Sequence, residues 1–144
     1  MQRTAVCTCG QLSVTVAGDP AFHGLCSCLE CQKLTGSAFS YSGYWPKEAV
    51  RRIAGESKSW RRGSDSGRWL DQHFCPTCSC AVFGYAEFAP DMINVSIGNF
   101  TDPGFPPPTY AVWNEHRHPW VALPDACTSR PWRSGTEEGG DDQG

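Results

Sequence analysis

No apolar run in the 144-residue chain approaches the length of a membrane span, and the first residues, MQRTAVCTCGQLSV, contain no apolar core of signal-peptide length. A cytoplasmic protein without a membrane partner is the expectation. Charge of one sign is also scarce. The formal net charge is -3, and the terminal SGTEEGGDDQG carries Glu137, Glu138, Asp141 and Asp142, which Arg130 and Arg133 only partly offset. The body up to Asp125 is nearly neutral, so it lacks a basic field to gather nucleic acid, and no nucleic-acid partner is expected. One local cluster, Lys58, Arg61 and Arg62 in KSWRRG, reads as a solvated strand end or turn. No internal repeat of solenoid type is visible.

Cysteine is present in excess. There are nine, and their odd number with C-x-C and C-x-x-C spacings argues against the disulfide framework of a secreted domain. Reduced thiols this dense are expected to hold metal. The length suits one domain, read here as residues 1–129. From residue 130 onward the apolar content is too low to order the chain, which predicts a flexible acidic tail over 130–144.

Between the cysteines the pattern is mainly β. RTAVCTCGQLSVTVAGDP reads as a hairpin with a tight turn at Gly10, because Leu12, Val14 and Val16 alternate with Ser13 and Thr15. Cys26 to Leu34 forms a short helix or a turn, GSAFSYSGYW suits a strand, and Lys47 to Ile53 is one helical turn or an edge strand. RWLDQHFCPTCSCAVFGYAEF repeats the strand, cysteine turn, strand design, with Pro76 in the turn. MINVSIGNF and TYAVWNEH are further strands, separated by TDPGFPPP. Frequent Gly and Pro between short alternating runs favour a β fold with little helix.

Zinc in structural sites takes four tetrahedral ligands and favours thiolate. Cys7 and Cys9 at one hairpin tip, with Cys75 and Cys78 at the other, make four and would clamp distant strands together. That site reads as structural, against the plainer view of four buried apolar thiols. Subtraction leaves Cys26, Cys28, Cys31, Cys80 and Cys127. The trio is one ligand short, which fits either a catalytic zinc with an open position or a second structural site completed from elsewhere. If residues 78–80 were extended, Cys80 would share a face with Cys78 and could reach a metal; the preferred reading is a buried thiol. Cys127 reads as a spare thiol.

In order, CTCG, CSCLECQKLTGSAF, FCPTCSC, INVSIGNFTDP and EHRHPWV resemble the family of glutathione-dependent formaldehyde-activating enzymes, which includes centromere protein V-like proteins. The resemblance runs almost to Pro124. It implies a mainly β fold of coiled mixed and antiparallel sheets with zinc-binding hairpin turns. It also implies a structural zinc at Cys7, Cys9, Cys75 and Cys78 and a catalytic zinc at Cys26, Cys28 and Cys31. Two departures stand out. Ser27 replaces a common His, and Ser79–Cys80 replaces a common Gly-Thr, leaving a side chain where zinc turns often take positive φ.

The chemistry expected of such a site is making or breaking a carbon–sulfur bond. A zinc held by three thiolates is a poor generator of hydroxide but holds a further thiol as thiolate. The expected enzyme is a carbon–sulfur lyase acting on the adduct of glutathione, or another small thiol, with an aldehyde, such as S-hydroxymethylglutathione. Lys33, the amides of Gly36 and Ser37, and His116, Arg117 or His118 are candidates to offset the negative charge and bind the thiol. Lys33 also reads as a solvated charge and EHRHPW as a polar strand end. His23 and His73 are alternative ligands, His73 more naturally a second hydrogen-bonding shell or a packed neutral ring. Phe39, Tyr41, Tyr44 and Trp45 could wall a pocket, with core packing the default. Two other functions remain open: a non-catalytic zinc module for partner binding, and redox sensing by the trio.

Overall fold

The computed structural model describes residues 1–64 and 66–129, so the expected tail over 130–144 lies outside the described residues. The chain opens with a hairpin, β1 (Gln2–Val6) and β2 (Ser13–Ala17), paired from Gln2↔Ala17 to Val6↔Ser13. Its tip closes through Gly10 N–H to the Cys7 carbonyl at 3.0 Å and Cys7 N–H to the Leu12 carbonyl at 2.9 Å. Gly10 sits at φ 89, a left-handed conformation that costs a side chain but not glycine.

Next come β3 (Phe22–Cys26), α1 (Leu29–Thr35) and β4 (Ser40–Pro46). Lys47 to Ile53 resolves into both expected alternatives: a 3-10 turn at Lys47–Ala49, then β5 (Val50–Ala54). The stretch KSWRRG is not merely a strand end or turn. It contains a full strand, β6 (Lys58–Arg62), paired along its length with β7 (Leu70–Phe74). The second cysteine turn joins β7 to β8 (Ala81–Ala86), followed by β9 (Ala89–Ser96), β10 (Tyr110–Val112) and β11 (Thr128–Ser129).

These strands form two sheets, ordered β1-β2-β5 and β11-β10-β3-β4-β9-β8-β7-β6. The large sheet is mixed, since β10 runs parallel to both β3 and β11 while the other pairs are antiparallel. The fold is therefore mainly β, with mixed and antiparallel sheets and α1 as the α-helix among the described residues.

The main core joins the two sheets. The small sheet and its turn supply Ala5, Leu12, Val14 and Val16; the large one supplies Trp45, Val82, Ile93 and Val95. Trp45 is fully buried and satisfies its indole N–H on the Gly18 carbonyl at 3.0 Å, a polar tie that accompanies its apolar burial. With β1–β2 fixed on one side and β7–β8 on the other, both cysteine turns are brought to the same end of the molecule.

Candidate metal centres and cavity

The first centre is built by two turns that are distant in sequence. The sulfurs of Cys7, Cys9, Cys75 and Cys78 lie within 4.8 Å of one another. Cys9 Sγ is 3.7 Å from both Cys7 Sγ and Cys75 Sγ. A zinc–thiolate bond of about 2.3 Å sets tetrahedral sulfurs about 3.8 Å apart, so this donor set fits such an ion.

Donors already surround these sulfurs. Leu12 N–H donates to Cys7 Sγ at 3.3 Å, while Thr77 N–H and the Gln11 side-chain amide donate to Cys75 Sγ at 3.3 and 3.0 Å. Burial pushes the Cys75 thiol up, but the Gln11 amide and the Cys78 and Thr77 backbone amides outweigh it and bring the pKa to about 6. The turn therefore favours the thiolate form that a metal needs.

Ser79 adopts φ 66, the positive value that the replaced glycine would have taken without cost. Residues 78–80 are thus not extended, and Cys80 is absent from both sulfur clusters among the described residues. Its Sγ instead accepts from Asn99 Nδ2 at 3.1 Å, against the main core.

The second centre is local. Cys26 ends β3, Cys28 caps α1 and Cys31 lies in its first turn; their sulfurs also lie within 4.8 Å of one another. The helix starts where it does because Cys28 Sγ accepts the Cys31 N–H at 3.3 Å, filling the capping position an Asp or Ser oxygen usually takes. All three thiols are buried. Hydrogen bonds from the Cys26 and Cys28 thiols, helped by Ser40 and Arg62, hold Cys31 well below the ordinary thiol range, and the same contacts raise Cys26. The cluster is predisposed to carry negative charge on Cys31.

Cys26 and Cys31 open onto a cavity of about 340 Å³. Its wall mixes polar side chains, Ser42, Gln72, Asn94, Ser96 and Asn99, with apolar ones such as Leu34, Phe39, Leu70 and Val112, and among the described residues Arg62 is its one cationic side chain. Arg62 is only 5% exposed and points Nη2 at Cys31 Sγ from 3.6 Å. The three cations of KSWRRG therefore part company. Lys58 is exposed, and Arg61 grips Asp71 through contacts of 2.7 and 3.1 Å, whereas Arg62 is buried at the second centre. Phe39, Tyr41 and Tyr44 do wall the cavity, while Trp45 belongs to the core.

The residues expected to contact a thiol are placed elsewhere. Lys33 is 74% exposed and pairs with Glu30 at 3.4 Å. The Gly36 and Ser37 amides are occupied in capping α1, both donating to the Gln32 carbonyl. Neither they nor Arg117 line the cavity. The EHRH segment serves as a strap: Gln32 Nε2 donates to the His116 carbonyl at 3.0 Å, and Gln32 Oε1 lies 3.0 Å from His118 Nε2. His73 stacks on Phe83 at 4.7 Å, with burial lowering its pKa, and His23 bonds the Pro107 carbonyl. Neither joins a sulfur cluster.

A family model described as glutathione-dependent formaldehyde-activating enzyme matches residues 2–116. Proteins of Fusarium vanettenii and Penicillium rubens that carry this enzyme name as a provisional assignment are similar over 81 residues, at 32% and 31% identity. The match spans 56% of this chain in each case, but 42% of the Fusarium protein and 41% of the Penicillium one. The chain thus matches less than half the length of these relatives. A crystal structure of a Rhodobacter sphaeroides protein shares the fold, with a TM-score of 0.55 at 17% identity, covering 72% of this chain and 91% of that one.

Proposed function

The chain belongs to the glutathione-dependent formaldehyde-activating enzyme family, and from that premise we propose that it is a zinc-dependent carbon–sulfur lyase. Its substrate is the adduct of glutathione or a similar small thiol with an aldehyde, such as S-hydroxymethylglutathione. Cys7, Cys9, Cys75 and Cys78 hold a structural zinc; Cys26, Cys28 and Cys31 hold the catalytic one. Bound there, zinc would supply a Lewis-acidic position that keeps the substrate sulfur as thiolate. The observation that carries this reading is the contrast between centres: four sulfurs converge in one, while the other has three buried sulfurs, two of which, those of Cys26 and Cys31, open onto a cavity. Free thiols throughout the described chain suit a reducing compartment such as the cytoplasm. Among the described residues no helix is long and apolar enough to cross a membrane.

The chain's own groups fit the bond change. In the forming direction the thiolate sulfur attacks the carbonyl carbon, the C=O π pair moves to oxygen, and that oxygen takes a proton. Tyr44 lines the cavity, its hydroxyl oxygen accepts from Asn94 Nδ2 at 3.3 Å, and burial raises its pKa, so the phenol keeps its hydrogen at neutral pH. It is the donor we assign to the adduct oxygen. In the reverse direction the adduct hydroxyl releases its proton to solvent, the C=O bond reforms and the sulfur leaves as thiolate with the C–S pair, taking up a proton on its release.

Zinc-loaded protein is expected to carry two ions and to accelerate exchange between formaldehyde, glutathione and their adduct, followed by carbon-13 NMR. Cys31→Ser should lose that acceleration while keeping one ion. No acceleration by the fully loaded wild type would leave a non-catalytic metal-binding domain as the reading, and full acceleration by Cys31→Ser would take the trio out of the catalysis.

A further inference from the structure

Among the described residues, Arg62 is a buried cation without an ordinary counter-ion. None of the ion pairs among the described residues includes it. Its Nη1 donates to the adjacent Gly63 carbonyl at 3.1 Å, its Nη2 to Cys31 Sγ at 3.6 Å, and its Nε is buried with no partner. A guanidinium taken out of water with one N–H unmatched is unfavourable unless a nearby negative charge offsets the desolvation. Among the described residues no carboxylate lines the cavity. The group in reach is the cysteine trio itself.

We propose that Arg62 is the counter-ion of the Cys26–Cys28–Cys31 centre, and that it suits this centre to take an anionic sulfur ligand from the cavity. Three thiolates around a divalent ion leave one net negative charge, and a fourth thiolate would leave two. With Arg62 beside Cys31 the same centre is neutral before the ligand arrives and singly charged afterwards. Among the described residues the first centre has no such cation among its sulfur contacts. There Cys9 is exposed to solvent, and the donors are Gln11 and backbone amides. Because Arg62 acts on the metal through Cys31, it is a positioning residue.

The inference rests on the trio holding metal and does not require the lyase reaction. Protein loaded with cobalt(II) at both centres is titrated with EDTA while the sulfur-to-cobalt absorption is followed, using Cys26→Ser to identify the signal of the first centre. Arg62→Met is expected to release the trio's cobalt at about tenfold lower chelator than wild type. Arg62→Lys should recover much of the difference. The first centre should be unchanged in both and so reports folding. A matching loss, about tenfold, is expected in the affinity of 2-mercaptoethanol for the trio. Retention of cobalt by Arg62→Met equal to wild type overturns the inference. Should Arg62→Met fail to fold, Arg62→Gln against Arg62→Lys makes the same comparison, and equal retention overturns it again. A wild type without lyase activity but with Arg62-dependent retention ends the proposed reaction and leaves this inference standing.

Discussion

Gln11 makes three polar contacts from one side chain. Its Nε2 donates to Cys75 Sγ at 3.0 Å and to the Glu56 carbonyl at 2.7 Å, and its Oε1 accepts Glu56 N–H at 2.9 Å. It thus couples the first sulfur centre to the chain leaving β5. Gln11→Ala should cost about 1–3 kcal/mol in urea unfolding, because it leaves partners unmatched. It should also release metal from the first centre at roughly 10- to 100-fold lower chelator, the range found for groups that orient metal ligands. An unchanged chelator midpoint would reduce Gln11 to a backbone clip. Cys80→Ala, by contrast, should leave the metal content at two, since Asn99 rather than an ion holds that sulfur; loss of one ion on metal analysis would make Cys80 a ligand. The seven clustered cysteines were legible because they fall into two pairs and a trio, each with local spacing, and the two pairs together complete one tetrahedral set. Arg62 and Gln11 were not, because their sulfur partners stand 31 and 64 residues away. Strand alternation could not single out Arg62 either: Lys58 and Trp60, at the same strand parity, are exposed.

At the scale of elements, β3 carries the second centre and was the least legible strand. Its sequence FHGLC has the burial pattern iiBBB, with no alternation, because it lies inside the large sheet between β10 and β4. Gly24 in its middle shows what that position demands. A Cβ built there would stand 2.5 Å from the Tyr110 ring, so Tyr110 can lie across β3 only because residue 24 has no side chain. Both residues line the cavity. Gly24→Ala should therefore displace the ring and cost about 1–3 kcal/mol, the usual range for overpacking. The cause is checked by a double-mutant cycle. In a Tyr110→Ala background the same substitution should cost markedly less, and an equal cost would place the conflict elsewhere. The hairpins were easier to read, since β1–β2 and β7–β8 each flank a cysteine turn with alternating apolar residues or a turn-forming Pro76.

For the whole molecule, the two centres differ in what they connect. The trio spans Cys26 to Cys31, within β3 and the start of α1, so a metal there ties together segments that are already neighbours in the chain. The first centre joins the β1–β2 turn of the small sheet to the β7–β8 turn of the large one, with Cys9 and Cys75 separated by 66 residues. A cross-link over a loop of that length removes far more freedom from the unfolded chain than one over a few residues, and stabilisation of about 2–4 kcal/mol is typical of such closures. The pairing of the sheets also buries Trp45 and the valines of β2, so loosening the clamp weakens the main core as well. Cys9→Ser should consequently lower the zinc-loaded melting temperature by more than Cys28→Ser. Adding chelator should lower that of Cys28→Ser, which keeps the clamp, more than that of Cys9→Ser. Melts of the two variants with zinc and with chelator decide it. If Cys28→Ser proves the more destabilised, the trio rather than the hairpin clamp holds the fold together, and the division into a structural and a reactive centre would have to be reversed.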